Sequence, residues 1–326
     1  MDEIGGDPGA RLGAGGLLDL LDKGDRLIAK IAAHYPALNR LVAEGALTAR
    51  SLLLALLALL LLLLLPPLTG WLLRRCHHLR PNFRNELIPQ SYGLVILLWT
   101  GLMLALTVLL FPSARPTLGF WLLAVSGFGA LGLYDDLWGD THIKGLRGHF
   151  RAALREHTFT TGFFKAVGGV LLALWIGHLV APDDLPAALL NAALIALCAN
   201  AINLLDLRPG RAGAAFLLCA AGLLYVTLRN GGIEAGVPPL LYVVVPTLLV
   251  YERDARAQVM MGDVGSNLLG ACLGLALATA PLSLVIKGTA LLLLIGLHIV
   301  AERISLTRLI AQNSILNTLD RLTGVR

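Results

Sequence analysis

Charge is scarce in this sequence. Only 14% of its 326 residues are Asp, Glu, Lys or Arg, against 56% hydrophobic, and the mean hydropathy is +0.75, which excludes an ordinary water-soluble domain. Cysteine is scarce as well. Cys76, Cys198, Cys219 and Cys272 lie in or beside apolar runs with no CxxC pair; this excludes a disulfide framework and leaves free thiols that pack as small hydrophobic side chains. Alternation of polar and apolar residues is missing, which excludes a membrane β-barrel. The run SLLLALLALLLLLLLPP starts at residue 51, is too long for a secretory leader and lacks a small-residue cleavage site. No internal repeat is visible, and charges inside the apolar runs are nearly absent, Lys287 being the main candidate. Both absences argue against a secondary transporter, which places ionisable groups near the bilayer midplane in related halves. A nucleic-acid-binding module is missing too, and the basic pI of about 9.2 follows from arginines in the loops.

What the sequence has in abundance is uncharged stretches of Leu, Ala, Gly and Val, long enough to cross a hydrocarbon core about 30 Å thick. They predict an all-α polytopic membrane bundle of about nine transmembrane helices, near 51–73, 92–112, 117–134, 163–181, 186–205, 212–228, 237–251, 264–281 and 283–301. Residues 1–50 form an N-terminal amphipathic extension, 51–302 the membrane domain and 303–326 an amphipathic tail expected to lie flat on the inner leaflet.

Lys and Arg in short loops stay on the cytoplasmic side. Arg74, Arg75, Arg80 and Arg84 fall in the first loop, Lys144, Arg147, Arg151, Arg155 and Lys165 in the third, Arg208 and Arg211 in the fifth, Arg253 and Arg256 in the seventh. The even loops offer only Arg115 and Arg229. The odd loops are therefore cytoplasmic, with the C-terminal tail inside and the N-terminus outside, although Lys23, Arg26, Lys30, Arg40 and Arg50 near the N-terminus run against this.

With that orientation, three polar clusters fall on one membrane face. GLYDDLWGD puts Asp135 and Asp136 at the end of the third span, CANAINLLDLRPGRAG puts Asn200, Asn203 and Asp206 at the end of the fifth, and MGDVGSN puts Asp263 and Ser266 at the entrance of the eighth. Carboxylates and amides ringed by arginines suit a divalent cation meeting a phosphorylated ligand, and Mg²⁺ takes such hard oxygen donors. Adjacent carboxylates also repel, so one of Asp135 and Asp136 can serve as metal or phosphate partner and the other as proton acceptor.

The ordered set NELIPQSYGLVIL (85–97), GLYDDLWGD (132–140), NAINLLDLRPGRAG (200–213) and MGDVGSNLLG (261–270) resembles the polyprenyl-phosphate N-acetylhexosamine-1-phosphate transferase superfamily. The resemblance implies that a UDP-amino sugar and a polyprenyl phosphate, such as undecaprenyl phosphate, are substrates, that UMP leaves, and that Mg²⁺ is the cofactor in cell-envelope polysaccharide or peptidoglycan synthesis. By motif, Asp135, Asp136 and Asp263 are the catalytic aspartates, with Asp263, Asn203 and Asp136 as metal ligands. Asn200, Asn203, Asp206 and Lys165 are expected at the substrates, as are Arg208, Arg211, Arg147 and His149; these last four fit equally well as ordinary inner-leaflet charges. Asn82, Asn85 and Pro89 match the family's first-loop motif. The bilayer is the surrounding partner, and a homodimer is left open.

The chain departs from the pattern twice. Pro209 stands where many members carry a second aspartate, and the histidine cluster that bacterial members carry in a late loop is missing, leaving His298; Glu302 and Arg303 are read first as part of the membrane-anchoring tail and second as substitutes for the lost donor contacts. His77 and His78 sit in the first loop and are expected to be solvated. A catalytically inactive paralogue that scaffolds envelope synthesis is the alternative.

Overall fold

The computed structural model describes residues 14–43, 47–139, 160–229 and 239–325. They fold as α1 (Ala14–Ala32), α2 (Pro36–Ala43), α3 (Ala49–Arg75), β1 (Leu79–Pro81), β2 (Leu87–Pro89), α4 (Leu94–Leu110), a 3₁₀ turn (Pro112–Ala114), α5 (Arg115–Trp138), α6 (Thr161–Val180), α7 (Leu185–Leu205), α8 (Arg211–Arg229), α9 (Pro239–Ala255), α10 (Gly262–Thr279), α11 (Leu284–Arg303), α12 (Leu306–Gln312) and α13 (Ser314–Thr323). The chain divides into two compact units, Met1–Leu61 and Leu62–Arg326.

Each of the nine apolar runs is a helix, α3 to α11, with ends a few residues from those expected. A helix is the form such runs must take in lipid, because it satisfies every backbone N–H and C=O within its own segment. Among the described residues, six stretches are long and apolar enough to cross a membrane: α3, α5 with the 3₁₀ turn before it, α6, α7, α8 and α11. α4 is apolar but has 17 residues. The fold is an all-α polytopic membrane bundle.

At the centre of the second unit stands α10, buried on almost every side and packed against α5 and α7. Backbone contact with α7 is close enough that a Cβ on Gly270 would lie 2.3 Å from the Cys198 carbonyl oxygen. Without a hydrophobic drive between helices in lipid, small residues that let backbones touch are what hold such a pair. In contrast, α11 has no buried residue and packs chiefly on α7.

The two-stranded hairpin was not legible as strands. β1 pairs antiparallel with β2, Leu79 opposite Pro89. Its turn is organised by Asn82, whose Oδ1 accepts from the amides of Arg84 at 2.8 Å and Glu86 at 3.0 Å, while Asn85 takes a left-handed φ of 62°, a conformation that asparagine tolerates better than most residues.

In the first unit, α1 is amphipathic and its acidic face is tied to the start of α3. Arg50 Nη2 donates to Asp22 Oδ1 at 2.7 Å, and the Ala49 amide donates to Asp25. The C-terminal helices α12 and α13 are docked on the ends of α8 and α9: the Val325 amide donates to the Ala255 carbonyl at 2.8 Å and the Tyr251 hydroxyl to the Thr323 carbonyl at 3.2 Å. Ile315, Leu319 and Leu322 remain exposed. The four cysteines are free, Cys198 and Cys272 buried in the core as expected, but Cys76 and Cys219 on the surface of the bundle.

Candidate active site

The stretch Met260–Asp263 enters α10 through a seat built by the first loop. Met260 donates its amide to the Pro89 carbonyl at 2.8 Å, and the amides of Tyr92 and Gly93 donate to the carbonyls of Met260 and Met261 at 2.9 and 2.8 Å. Gly262 then turns with φ +75°, where a side chain would be strained and a Cβ would meet the Asp136 carboxylate at 2.6 Å. The NELIPQSYG segment thus positions the MGD segment by backbone pairing.

Asp136 closes the start of α10. Its Oδ1 accepts from the Asp263 amide at 3.0 Å and its Oδ2 from the Val264 amide at 3.1 Å, satisfying two of the donors a helix N-terminus leaves unpaired and meeting the positive end of the helix dipole. One turn earlier on α5, Gly132 lies so near α10 that a Cβ there would be 2.2 Å from the Asp263 carbonyl oxygen. Gly132 and Asp136, four residues apart on one face, together explain why α5 ends against this turn. Asp136 is 8% exposed; both of its oxygens face backbone amides of α10.

Asp135 points elsewhere. Its Oδ2 accepts from Lys165 Nζ at 2.6 Å, and the same ammonium donates to Asp263 Oδ2, so one cation stands between carboxylates from α5 and α10. Thr160 caps α6 by accepting from the Phe163 amide at 3.2 Å, which fixes the turn that carries Lys165. On the far side, Ser266 Oγ donates to Asn203 Oδ1 at 3.0 Å, and Asn267 Nδ2 donates to the Asp263 carbonyl at 2.7 Å.

Lys165, Asn200, Asn203, Asp206, Asp263 and Asn267 all line one cavity of about 910 Å³, whose deeper wall is apolar, with Phe128, Leu131, Val170, Leu171 and Leu197. Burial pushes the Asp206 carboxyl well above the usual carboxylate range, and the charges of Asp254, Asp263 and Asp136 push it further. A cation beside Asp206 would offset that repulsion.

Several expected residues lie apart from this cavity. Arg208 is exposed and does not line it. Arg211 is 6% exposed and holds the tail: Nε donates to Asp320 Oδ1 at 2.7 Å and Nη2 to Asp320 Oδ2 at 3.0 Å. Arg147 and His149 lie outside the described residues. His78, expected to be solvated, is half-buried and bonded through Nε2 to Ser91 Oγ at 2.8 Å; the hairpin folds its loop back over the ring. The Arg211 geometry predicts a large effect on stability. Asp320→Ala leaves a buried guanidinium unpaired and is expected to destabilise by about 3–5 kcal/mol, most of which an Arg211→Leu and Asp320→Leu double replacement restores, as thermal unfolding in detergent would read.

Sequence reasoning missed Asp254. Buried at 5% exposure, it joins two loops, Oδ2 accepting from the Gly210 amide at 2.7 Å and Oδ1 from the Met261 amide at 3.2 Å. Its neighbours Arg253 and Arg256 made it look like part of a solvated charge run; the signal against that was an acid within one turn of the MGD segment's own loop. His298, noted only as the histidine left near the end of the ninth span, and Glu302, one of the two candidates for the lost contacts, both line the same cavity from α11. The buried Nε2 of His298 has no hydrogen-bond partner among the described residues, an arrangement that costs about 1–3 kcal/mol until a ligand or water satisfies it.

Among the described residues no three His, Cys, Asp or Glu side chains form a ready-made metal site. The donor chemistry nevertheless suits a hard divalent cation. Two carboxylate oxygens, from Asp135 and Asp263, already converge on one positive centre, with the carboxamides of Asn200 and Asn203 on the same cavity. Mg²⁺ usually takes one or two carboxylates and completes its shell with water and substrate phosphate.

A model of glycosyl transferase family 4 matches residues 118–280, from α5 through α10. The chain is 27% identical over 273 residues to the phospho-N-acetylmuramoyl-pentapeptide-transferase of Chlamydia trachomatis serovar L2 (74% of this chain, 77% of the relative). It is 27% identical over 269 residues to the protein of the same name from Chlamydia pneumoniae (72% and 73%), and 26% identical over 272 residues to that of Chlamydia abortus (72% and 74%). The match covers half of the sequence and every element that builds the cavity except α11: the chain belongs to glycosyl transferase family 4, as a divergent member.

Proposed function

We propose that this protein moves a sugar-1-phosphate from a UDP-N-acetylamino sugar to polyprenyl phosphate, with release of UMP, in cell-envelope polysaccharide or peptidoglycan synthesis. The observation that carries this is the Asp135–Lys165–Asp263 arrangement, whose Lys165 and Asp263 line a cavity that also has an apolar wall. Lys165 is the fifth residue of α6; Val170 and Leu171 lie five and six residues on, about 7.5–9 Å further along the helix at 1.5 Å per residue. A phosphate held at the carboxylate level can therefore extend a prenyl chain along the apolar wall. Such a molecule is amphipathic in the same sense as the cavity.

In the reaction, an oxygen of the lipid phosphate attacks the phosphorus attached to the sugar, the bond from that phosphorus to the UMP oxygen breaks, and UMP departs with the bonding electrons. Little covalent work falls to the protein; alignment and charge neutralisation dominate. Asp263, Asp135 and Asn203 would hold Mg²⁺, which supplies neutralising charge on the phosphate oxygens when bound. Lys165 adds a fixed positive charge beside them. Asp136 acts through α10, holding the Asp263 amide and so the direction of that carboxylate. Asp206 and Asn200 shape the opposite wall, and Arg208 lies outside it, able to attract anionic substrate. The nine helices α3 to α11 would all cross the membrane, with the site and C-terminus cytoplasmic and the N-terminus outside.

The test is to incubate the purified protein with undecaprenyl phosphate, Mg²⁺ and a panel of UDP-amino sugars, and to measure UMP. Release from at least one donor, dependent on both lipid and Mg²⁺, is expected. Silence from all of them would leave a scaffold with an intact fold and no transferase activity.

A further inference from the structure

His298 and Glu302 are four residues apart on α11, so their side chains share one face. Both line the cavity that holds Lys165 and Asp263. Otherwise α11 makes little use of its surface, having no buried residue. Yet the Nε2 atom of His298 is buried, with no hydrogen-bond partner among the described residues. Nδ1 of the same ring lies 2.7 Å from the Leu294 carbonyl oxygen. A carbonyl can only accept, so the proton sits on Nδ1, and Nε2 of the neutral ring is left as a lone-pair acceptor.

Depth matters too. His298 is five residues from the end of α11 and Asn200 five from the end of α7, about 7–8 Å in each case. The two helices pack together, and His298 is as near the end of its helix as Asn200, a polar residue lining the same cavity. Glu302, one turn nearer the helix end, is exposed. This wall offers two acceptors, while the Lys165 wall offers the cation.

We propose that His298 Nε2 and the Glu302 carboxylate accept hydrogen bonds from hydroxyl or N–H groups of the nucleotide-sugar donor, which makes α11 a wall that recognises the neutral part of that substrate. A diphosphate would meet a carboxylate and an acceptor nitrogen here; sugar hydroxyls, an acetamido N–H, ribose hydroxyls or the uracil N–H would meet complementary partners. The inference rests on the transferase assignment above and adds residues that lie outside the segment matched to the family.

His298→Asn is the informative variant, because an Asn amide can still donate to the Leu294 carbonyl from the Nδ1 position while Nε2 is deleted. In the full chain, in detergent with Mg²⁺, binding of UMP, UDP-N-acetylglucosamine and UDP-N-acetylmuramoyl-pentapeptide is measured by calorimetry, beside kcat and KM for UMP release. The donor that the wild type binds is expected to bind about tenfold more weakly to the variant. Its KM rises by the same factor, kcat stays within about twofold, and the KM for undecaprenyl phosphate does not move. A loss shared by UMP places the contact on uridine, and a loss confined to the UDP-sugar places it on the sugar; both support the proposal. Unchanged donor affinity, or a shift confined to undecaprenyl phosphate, overturns it. Wild-type protein that binds no UDP-sugar overturns the transferase assignment and this inference with it. An unfolding midpoint equal to the wild type's excludes misfolding as the cause. Should His298→Asn fail to fold, Glu302→Ala at its exposed position carries the same test, with a loss of about threefold.

Discussion

Asp263→Asn is expected to give a folded protein that releases UMP about a hundred to a thousand times more slowly than the wild type at saturating Mg²⁺. The substitution preserves shape. The Asp263 amide still donates to Asp136, its carbonyl still accepts from Asn267, and Lys165 keeps Asp135 as its ion partner. What is lost is one unit of negative charge at the point where α5, α6 and α10 meet. If that charge holds the cation, the variant also loses the rise in unfolding temperature that Mg²⁺ gives the wild type, since a ligand stabilises only the state that binds it. Turnover within a few-fold of wild type would remove Asp263 from the reacting centre, whatever the Mg²⁺ titration showed.

Helices were easy to read because lipid leaves a chain little choice. A run such as that of α3 has no other way to satisfy its backbone, and the expected ends at 51 and 73 differ from the helix Ala49–Arg75 by two residues each. The meeting of Asp135, Lys165, Asn203 and Asp263 was foreshadowed as well, since the count of Lys and Arg by loop put the three acid-and-amide clusters at one end of their spans, with Lys165 in a loop of the same set. What the sequence did not reveal was which oxygens face the cavity. Asp135 and Asp136 are neighbours, and a helix turns about 100° per residue, so one reaches Lys165 while the other reaches the backbone of α10. Nothing in the letters DD distinguishes them. Arg211 was hidden in the same way: its partner, Asp320, is 109 residues distant, and a guanidinium that binds a buried carboxylate reads like one that binds phosphate. His298 was noted but given no role, because a single histidine on an apolar helix usually packs against its own chain, as its Nδ1 does.

Lys165→Met separates the part of this site that folds from the part that reacts. In the wild type the ammonium lies between Asp135 and Asp263, with its side chain 20% exposed, so it neutralises two carboxylates that water reaches poorly. Replacing it by an apolar side chain of similar length leaves those charges facing one another. Without Mg²⁺ the variant is expected to be about 3 kcal/mol less stable, as when one member of a buried pair is removed. Adding Mg²⁺ should recover most of the loss, because a divalent cation between the same oxygens supplies the missing charge, and the apparent stabilisation by Mg²⁺ should exceed that of the wild type. Activity should not follow. A fixed ammonium beside the phosphates is gone even when the metal is bound, so UMP release at saturating Mg²⁺ should remain at least about a hundredfold below wild type. A Lys165→Met and Asp135→Asn double variant sharpens the distinction, since it removes one of the opposed charges and should regain stability without Mg²⁺ while staying inactive. If Lys165→Met melted like the wild type and showed the same response to Mg²⁺, the lysine would not be holding the place of a cation, and the metal would have to be sought among other oxygens of the cavity.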